Sequence, residues 1–206
     1  MQSEELAINP KKDISDDIVT VKTLNSYWKS LPMQKKIIGF YSDKSTFFPY
    51  FSNFYVQNKP FTFKIPEWCG MMANEEIRIK FSEKAIMLCK ASLMNDLDAY
   101  ENIKNCNTPE ETKKLGRTVS PWNQELWDKN ICYIAREVTL AKFSQNDEYK
   151  YALLSTENYL IAEASPRDKI WGIGMGVKNP ELIDPTKWKG SNILGWALME
   201  ARNKLK

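Results

Sequence analysis

The stretch SPRDKIWGIGM, residues 165–175, sets the carboxylate of Asp168 ahead of Trp171, Gly172 and Gly174. The chain has only eight glycines, and Gly172, Gly174 and Gly176 all fall within five residues. Glycine belongs where backbone takes a positive φ or passes close to something else. The loop is therefore either a tight turn or a place where a ligand meets backbone, with an acid and an indole beside it. Its GxGxG spacing does not match the GxGxxG dinucleotide fingerprint, and no GK[ST] follows to make a phosphate loop.

A second set lies in SEKAIMLCK, residues 82–90. Glu83 falls in the first turn of an expected helix, where the helix dipole favours a carboxylate whatever its further use. Lys90 returns to nearly the same face, about 10 Å further along the axis. Met87 and Cys89 mark that region as buried. Lys90 is then either a snorkelling side chain or a buried amine with a partner or a task. Ser52, Asn53 and Phe54 follow an aromatic run, where rings either fill a core or offer stacking and hydrogen bonds to a nucleobase. Arg117, after Gly116, suits a phosphate or a surface ion pair.

The sequence contains no histidine. Acid–base chemistry must use carboxylates, lysine, tyrosine or cysteine. A serine–histidine triad and a histidine-ligated metal are excluded.

These groups need a frame. At 206 residues, with 43% hydrophobic and 12% aromatic content, the chain suits one domain with a sizeable core. A formal charge of +3 leaves room only for a local basic face. Cys69, Cys89, Cys106 and Cys132 lack CxxC pairing, which fits reduced thiols in cytosol. No apolar run approaches a membrane span, and the start has no apolar signal core, so a cytoplasmic protein is expected.

Apolar runs predict strands over 36–41, 60–65, 76–81 and the YLIAEA segment, with 60–65 and 76–81 pairing. Helices are expected over 15–31, with Ser15 as cap, and from Ser82 as cap to about Met94. TPEETKKLGR reads as a helix with Thr108 as N-cap, Pro109 in the first turn, a capping box at Glu111 and Gly116 as stop. Ser120 and Pro121 repeat that device before a long helix carrying Trp127, Ile131, Ile134, Val138 and Ala141. Two more helices follow, over NDEYKYALLST and SNILGWALMEARNKL. The expected fold is α+β, one helix-rich domain around a small β-sheet.

The order of motifs adds what no single one gives. IIGFY with FSNF, SEKAIMLCK, TKKLGR, AREVTLAKFSQN, LLSTENYLIAEASP, DKIWGIGM and WKGSNILGWALMEAR together resemble the NADAR family, also called YbiA-like. The resemblance covers residues 36–206, leaving 1–35 as an N-terminal extension. It implies an N-glycosidase. Some members cleave ribosylaminopyrimidinone phosphates early in the riboflavin pathway; others remove ADP-ribose from guanine in nucleic acid. By position it implies Glu83, Lys90 and Asp168 as catalytic, with Arg117, Trp127, Trp171, Gly172, Gly174 and Asn192 joining Ser52, Asn53 and Phe54 around the substrate. It implies neither metal nor redox cofactor, and Lys90 is the amine that would form an imine with an opened ribose. The chain departs from the family at EKAIM, where EHYFQ is frequent, and at Ile131, where a lysine is frequent.

ADP-ribosylated guanine in DNA is the first expected substrate and ADP-ribose the product. Without histidine, rich in lysine and poor in glycine, the chain fits a phage protein acting in host cytoplasm against a DNA-modifying defence. The riboflavin-intermediate hydrolase is the alternative enzyme, and a silent ADP-ribose-binding domain the alternative of another class.

Overall fold

The computed structural model describes residues 19–44 and 47–206. Its first helix, α1 (Val21–Ser30), is capped by Thr20 in a reciprocal box with Thr23. The expected cap Ser15 lies outside the described residues. Leu24, Tyr27 and Trp28 of α1 are buried, and the Trp28 indole donates to Ser191 O at 2.6 Å. This part of the N-terminal extension is thus packed into the core.

The strands form two short ladders. β1 (Ile37–Phe40) runs parallel to β4 (Leu160–Glu163), with Phe40 opposite Glu163. β2 (Phe61–Lys64) pairs antiparallel with β3 (Glu76–Ile79), with Phe61 opposite Ile79. Phe61, Phe63, Ile77 and Ile79 point inward while Thr62, Lys64, Glu76 and Arg78 point out, the alternation that makes this ladder half-buried.

Helices supply most of the α+β fold. The central one, α2 (Ser82–Leu93), is buried on nearly all sides, and so shows no polar stripe in its sequence. It packs against α3 (Leu97–Asn105), α4 (Pro109–Gly116) and the long α5 (Gln124–Ser144). α6 (Asp147–Leu154) and α7 (Ile193–Leu205) complete the described set, α7 lying along α5 and β4. Trp127, Ile131, Ile134 and Val138 of α5 are buried as their spacing requires. The four cysteines are buried and free. Among the described residues no helix is long and apolar enough to cross a membrane.

Two local expectations are corrected, and a third holds with a packing reason added. Ser82 is the first residue of α2 rather than its cap; Phe81 holds the cap position without a side-chain bond. An orphan donor of that first turn, the Glu83 N–H, instead reaches Asn53 O at 3.0 Å. α5 begins three residues later than the Ser120–Pro121 signal predicts. That peptide bond is cis, and Asn123 is the cap, accepting from the Leu126 N–H at 3.0 Å. Gly116 does end α4, but for a packing reason. A Cβ there would come within 2.0 Å of Met87 Sδ, so the glycine lets α4 press against α2.

Candidate active site

The turn at Ser52–Phe54 is held from two directions. Its Asn53 carbonyl accepts from α2 as above, and Lys142 of α5 donates to Ser52 O at 3.0 Å. The turn, the start of α2, one face of α4 and the loop after β4 enclose a cleft of about 320 Å³. Ser52, Asn53, Phe54 and Glu83 form one side of it. Lys113 of α4 and Arg117, its C-cap, form the next, and Glu163, Arg167, Asp168 and Trp171 the third. Tyr41 and Asp43, after β1, also line it, so four carboxylates, three cations and three aromatic rings converge.

The carboxylates are not in ordinary surroundings. Burial pushes the Glu83 carboxyl up to about 7; Lys113 and Arg117 pull it down and Asp168 pushes it further up. Burial, reinforced by Asp168, pushes Glu163 up to about 8. Its Oε2 is buried with no hydrogen-bond partner. Two groups able to hold or release a proton near neutrality thus face one space, as general acid–base chemistry requires.

Asp168 is partly committed elsewhere. Its Oδ1 accepts from the N–H groups of Ile170 at 2.9 Å and Trp171 at 2.8 Å, an Asx turn that sets the indole against the cleft. The glycines answer the question raised by their spacing, and the tight-loop reading prevails. Gly172 and Gly174 do not line the cleft. A Cβ on Gly172 would sit 2.6 Å from Glu163 O, so this glycine admits the loop to the end of β4. Gly174 has φ +69, and a Cβ there would meet Lys189 Cβ at 3.0 Å. The protein's own backbone and side chains occupy the place expected for ligand.

Asn192 is likewise behind the wall. Fully buried, it accepts from the Glu163 N–H at 3.0 Å and donates to Ile161 O at 2.9 Å, stitching α7 to β4. Lys90 does not line the cleft either. Its ammonium donates to Gly116 O at 2.6 Å and lies 4.3 Å from the Trp122 ring centre and 5.7 Å from that of Trp127. Burial lowers its pKa, Glu83 raises it and Arg117 lowers it. Its link to the site is therefore electrostatic. Trp127 packs over Lys90 and beside Trp122 rather than in the cleft.

A larger groove of about 1130 Å³ runs between α1 and the start of α5. Polar surface residues such as Asn25 and Lys29 wall it, and its Glu125 is paired with Lys129 at 2.8 Å. The convergence of unpaired acid, cation and ring occurs in the smaller cleft.

Residues 39–206, which include every wall of that cleft, match the family model of the NADAR domain. The chain belongs to the NADAR family. An N-glycosidase of Acanthamoeba polyphaga mimivirus is 41% identical over 60% of this chain and 72% of its own length. A maize chloroplastic riboflavin biosynthesis protein, PYRR, is 27% identical over 96% of this chain but only 30% of its own. The solved structure of YbiA from E. coli matches with a TM-score of 0.62 at 27% identity, covering 84% of this chain and 87% of that one. The α+β arrangement is thus the NADAR arrangement.

Four charged cleft residues, Asp43, Glu163, Lys113 and Arg167, carry no mark in the sequence reading. Glu163 closes an apolar strand, where a carboxylate without a local partner is itself a signal. Lys113 is one of several charges on a short helix, and its position in this NADAR cleft depends on how α4 docks on α2. Arg167 is a cation in a loop, with no local pattern that ties it to Asp168 beside it.

Proposed function

We propose that this NADAR protein is an N-glycosidase that removes ADP-ribose from guanine in DNA by hydrolysis. The observation that carries the reading is the cleft itself, where burial raises the proton affinity of Glu83 and Glu163 between cationic and aromatic walls. Breaking a ribose C1′–N bond builds positive charge on the sugar and negative charge on the base. An ionised carboxylate stabilises the first and a protonated one relieves the second. Lys113, Arg117 and Arg167 supply charge for the diphosphate. Phe54 and Trp171 supply flat apolar faces for a base, and Ser52 and Asn53 hydrogen-bonding groups beside them. With Lys90 held by Gly116 O, water replaces the lysine imine as the agent that accepts the sugar.

The resemblance to the maize riboflavin protein favours a second substrate, a ribosylaminopyrimidinone phosphate, which presents one phosphate to the same cations. Incubation with an oligonucleotide carrying ADP-ribosyl-guanine, and separately with the pyrimidinone ribosyl-phosphate, distinguishes the two. Release of ADP-ribose from the first at the higher kcat/KM is expected. Turnover of the second alone would replace the DNA reading. Tight binding of ADP-ribose with turnover of neither would make this a binding domain.

A further inference from the structure

The backbone of Glu163 is fixed on both sides while its side chain is not. Its N–H donates to Asn192 Oδ1 at 3.0 Å, and its carbonyl accepts from Ser165 at 3.0 Å and Ile173 at 2.9 Å. Gly172 makes room for that approach. On the cleft wall, by contrast, Oε2 is buried and finds no donor or acceptor in the protein. A rigid mount carrying an unsatisfied carboxyl suits a group whose partner arrives with the substrate.

We propose that Glu163 is a catalytic residue, the acid that protonates the departing base, while Glu83 faces the sugar and the attacking water. This division of labour rests on the N-glycosidase reading above. An ionised oxygen at Oε2 would be buried without compensation, which is costly. A protonated one brings its own donor, and the glycosidic nitrogen of the base is the acceptor it lacks. The charged groups facing Glu163 are Asp168 from the following loop, Lys113 from α4 and Glu83 from α2. Two are carboxylates and one is a cation, so the balance keeps the proton on Glu163. Glu83 has three cations around it, Lys113, Arg117 and Lys90, against Asp168. It is the more readily ionised of the pair. Two carboxyls with separated proton affinities are the usual means of assigning acid and base.

In the step, the bond between ribose C1′ and the exocyclic nitrogen of guanine breaks, its electron pair passing to nitrogen. Glu163 delivers its proton to that nitrogen. Water adds through oxygen to C1′ and yields a proton to Glu83, and solvent exchange then restores both carboxyls. Atoms balance as ADP-ribosyl-guanine plus water giving ADP-ribose plus guanine.

The test uses two leaving groups on the full chain. Guanine needs a proton to depart, whereas 4-nitrophenolate, joined to ADP-ribose at the same anomeric carbon, does not. Glu163→Gln is expected to lower kcat for guanine release by about 10²–10⁴ and to keep nitrophenolate release within about threefold. Glu83→Gln should depress both. Retained nitrophenolate release also shows that Glu163→Gln is folded. In the infrared, wild type minus Glu163→Gln at neutral pH should show the C=O band of a protonated carboxyl. Guanine release by Glu163→Gln within threefold of wild type, equal loss with both leaving groups, or an ionised Glu163 in the difference spectrum would each overturn the assignment. If wild type releases base from neither ribosyl substrate, the N-glycosidase reading fails and takes the assignment with it. An active wild type with an unaffected Glu163→Gln refutes this assignment alone.

Discussion

Glu83 and Glu163 line the cleft with buried carboxyls, and among the described residues nothing bonds Glu163 Oε2. Behind its walls, Lys90 and Lys142 each donate a hydrogen bond to one backbone carbonyl, Gly116 O and Ser52 O respectively. Both regions withdraw ionisable groups from water, and both shift their proton affinities. The difference is what meets the polar atom. A lysine bonded to a carbonyl ties elements together, α2 to α4 through Lys90 and α5 to the Ser52 turn through Lys142. A carboxyl that ends in a cleft waits for something else. Burial alone therefore does not mark a functional group; burial with an unfilled hydrogen bond on an open wall does.

The contrast breaks most visibly at Glu83. Glu83→Gln should lower turnover by about 10²–10⁴ while the fold persists. Stability should reveal the same burial. The folded-state pKa values of about 7 for Glu83 and about 8 for Glu163 stand above the ordinary 4.5. The folded protein then binds more protons than the unfolded chain across that window, and it loses stability as pH rises through it. Melting curves should show wild type falling relative to each glutamine variant as pH climbs from 4.5 toward about 8. Parallel curves would mean that these carboxyls are ordinary.

Lys113 comes next in size. On the proposed reading Lys113 meets a phosphate, and Lys113→Ala should weaken ADP-ribose binding by about tenfold, measured by titration calorimetry. Because Lys113 holds the Glu83 pKa down, the pH at which activity first rises should also move up in that variant. An unmoved profile would separate Lys113 from Glu83.

How much of this was legible beforehand follows from the range of each interaction. Thr108 as a cap, the Phe61 to Ile79 alternation and the α5 stripe are local patterns, and they were readable. Ser120–Pro121 misplaced the start of α5 because Asn123, three residues on, is the side chain that takes the first-turn Leu126 N–H. Gly116 and Gly172 look like turn residues, yet each is needed for an approach across many positions, to Met87 Sδ and to Glu163 O. Glu83, Asp168, Arg117, Trp171 and the Ser52 turn do converge. Glu163 and Lys113 escaped because their place in the cleft depends on the docking of β4 and α4, which leaves no periodic trace. Asn192 and Lys90 have partners that explain burial without a ligand.

A smaller effect is expected at Gly174. An alanine there must hold φ near +69 and press on Lys189 Cβ, costing about 1–2 kcal/mol. The melting temperature should fall while ADP-ribose affinity stays within about twofold. Weakened binding with unchanged melting would restore the reading in which ligand touches that backbone.

Lys142 should give the smallest shift in ordinary buffer, because Lys142→Met removes both a buried charge and the bond to Ser52 O. Its pKa, lowered by burial from 10.5 to about 7, supplies a sharper signature. Between those values the unfolded chain binds the extra proton, so wild type should gain stability over Lys142→Met as pH rises through the window. A constant difference in melting temperature would mean that Lys142 is solvated.

The comparison is tested most directly by ADP-ribose released from an ADP-ribosylated oligonucleotide, quantified side by side for wild type, Glu83→Gln and Lys90→Arg with borohydride present in a parallel set. Glu83→Gln should lose nearly all release. Lys90→Arg, which can still donate to Gly116 O and keep its charge beside Glu83, should stay within about tenfold of wild type, and borohydride should trap no protein–sugar adduct. Loss of release in Lys90→Arg, preserved release in Glu83→Gln and a trapped adduct in wild type would contradict the carboxylate mechanism and put the lysine at its centre.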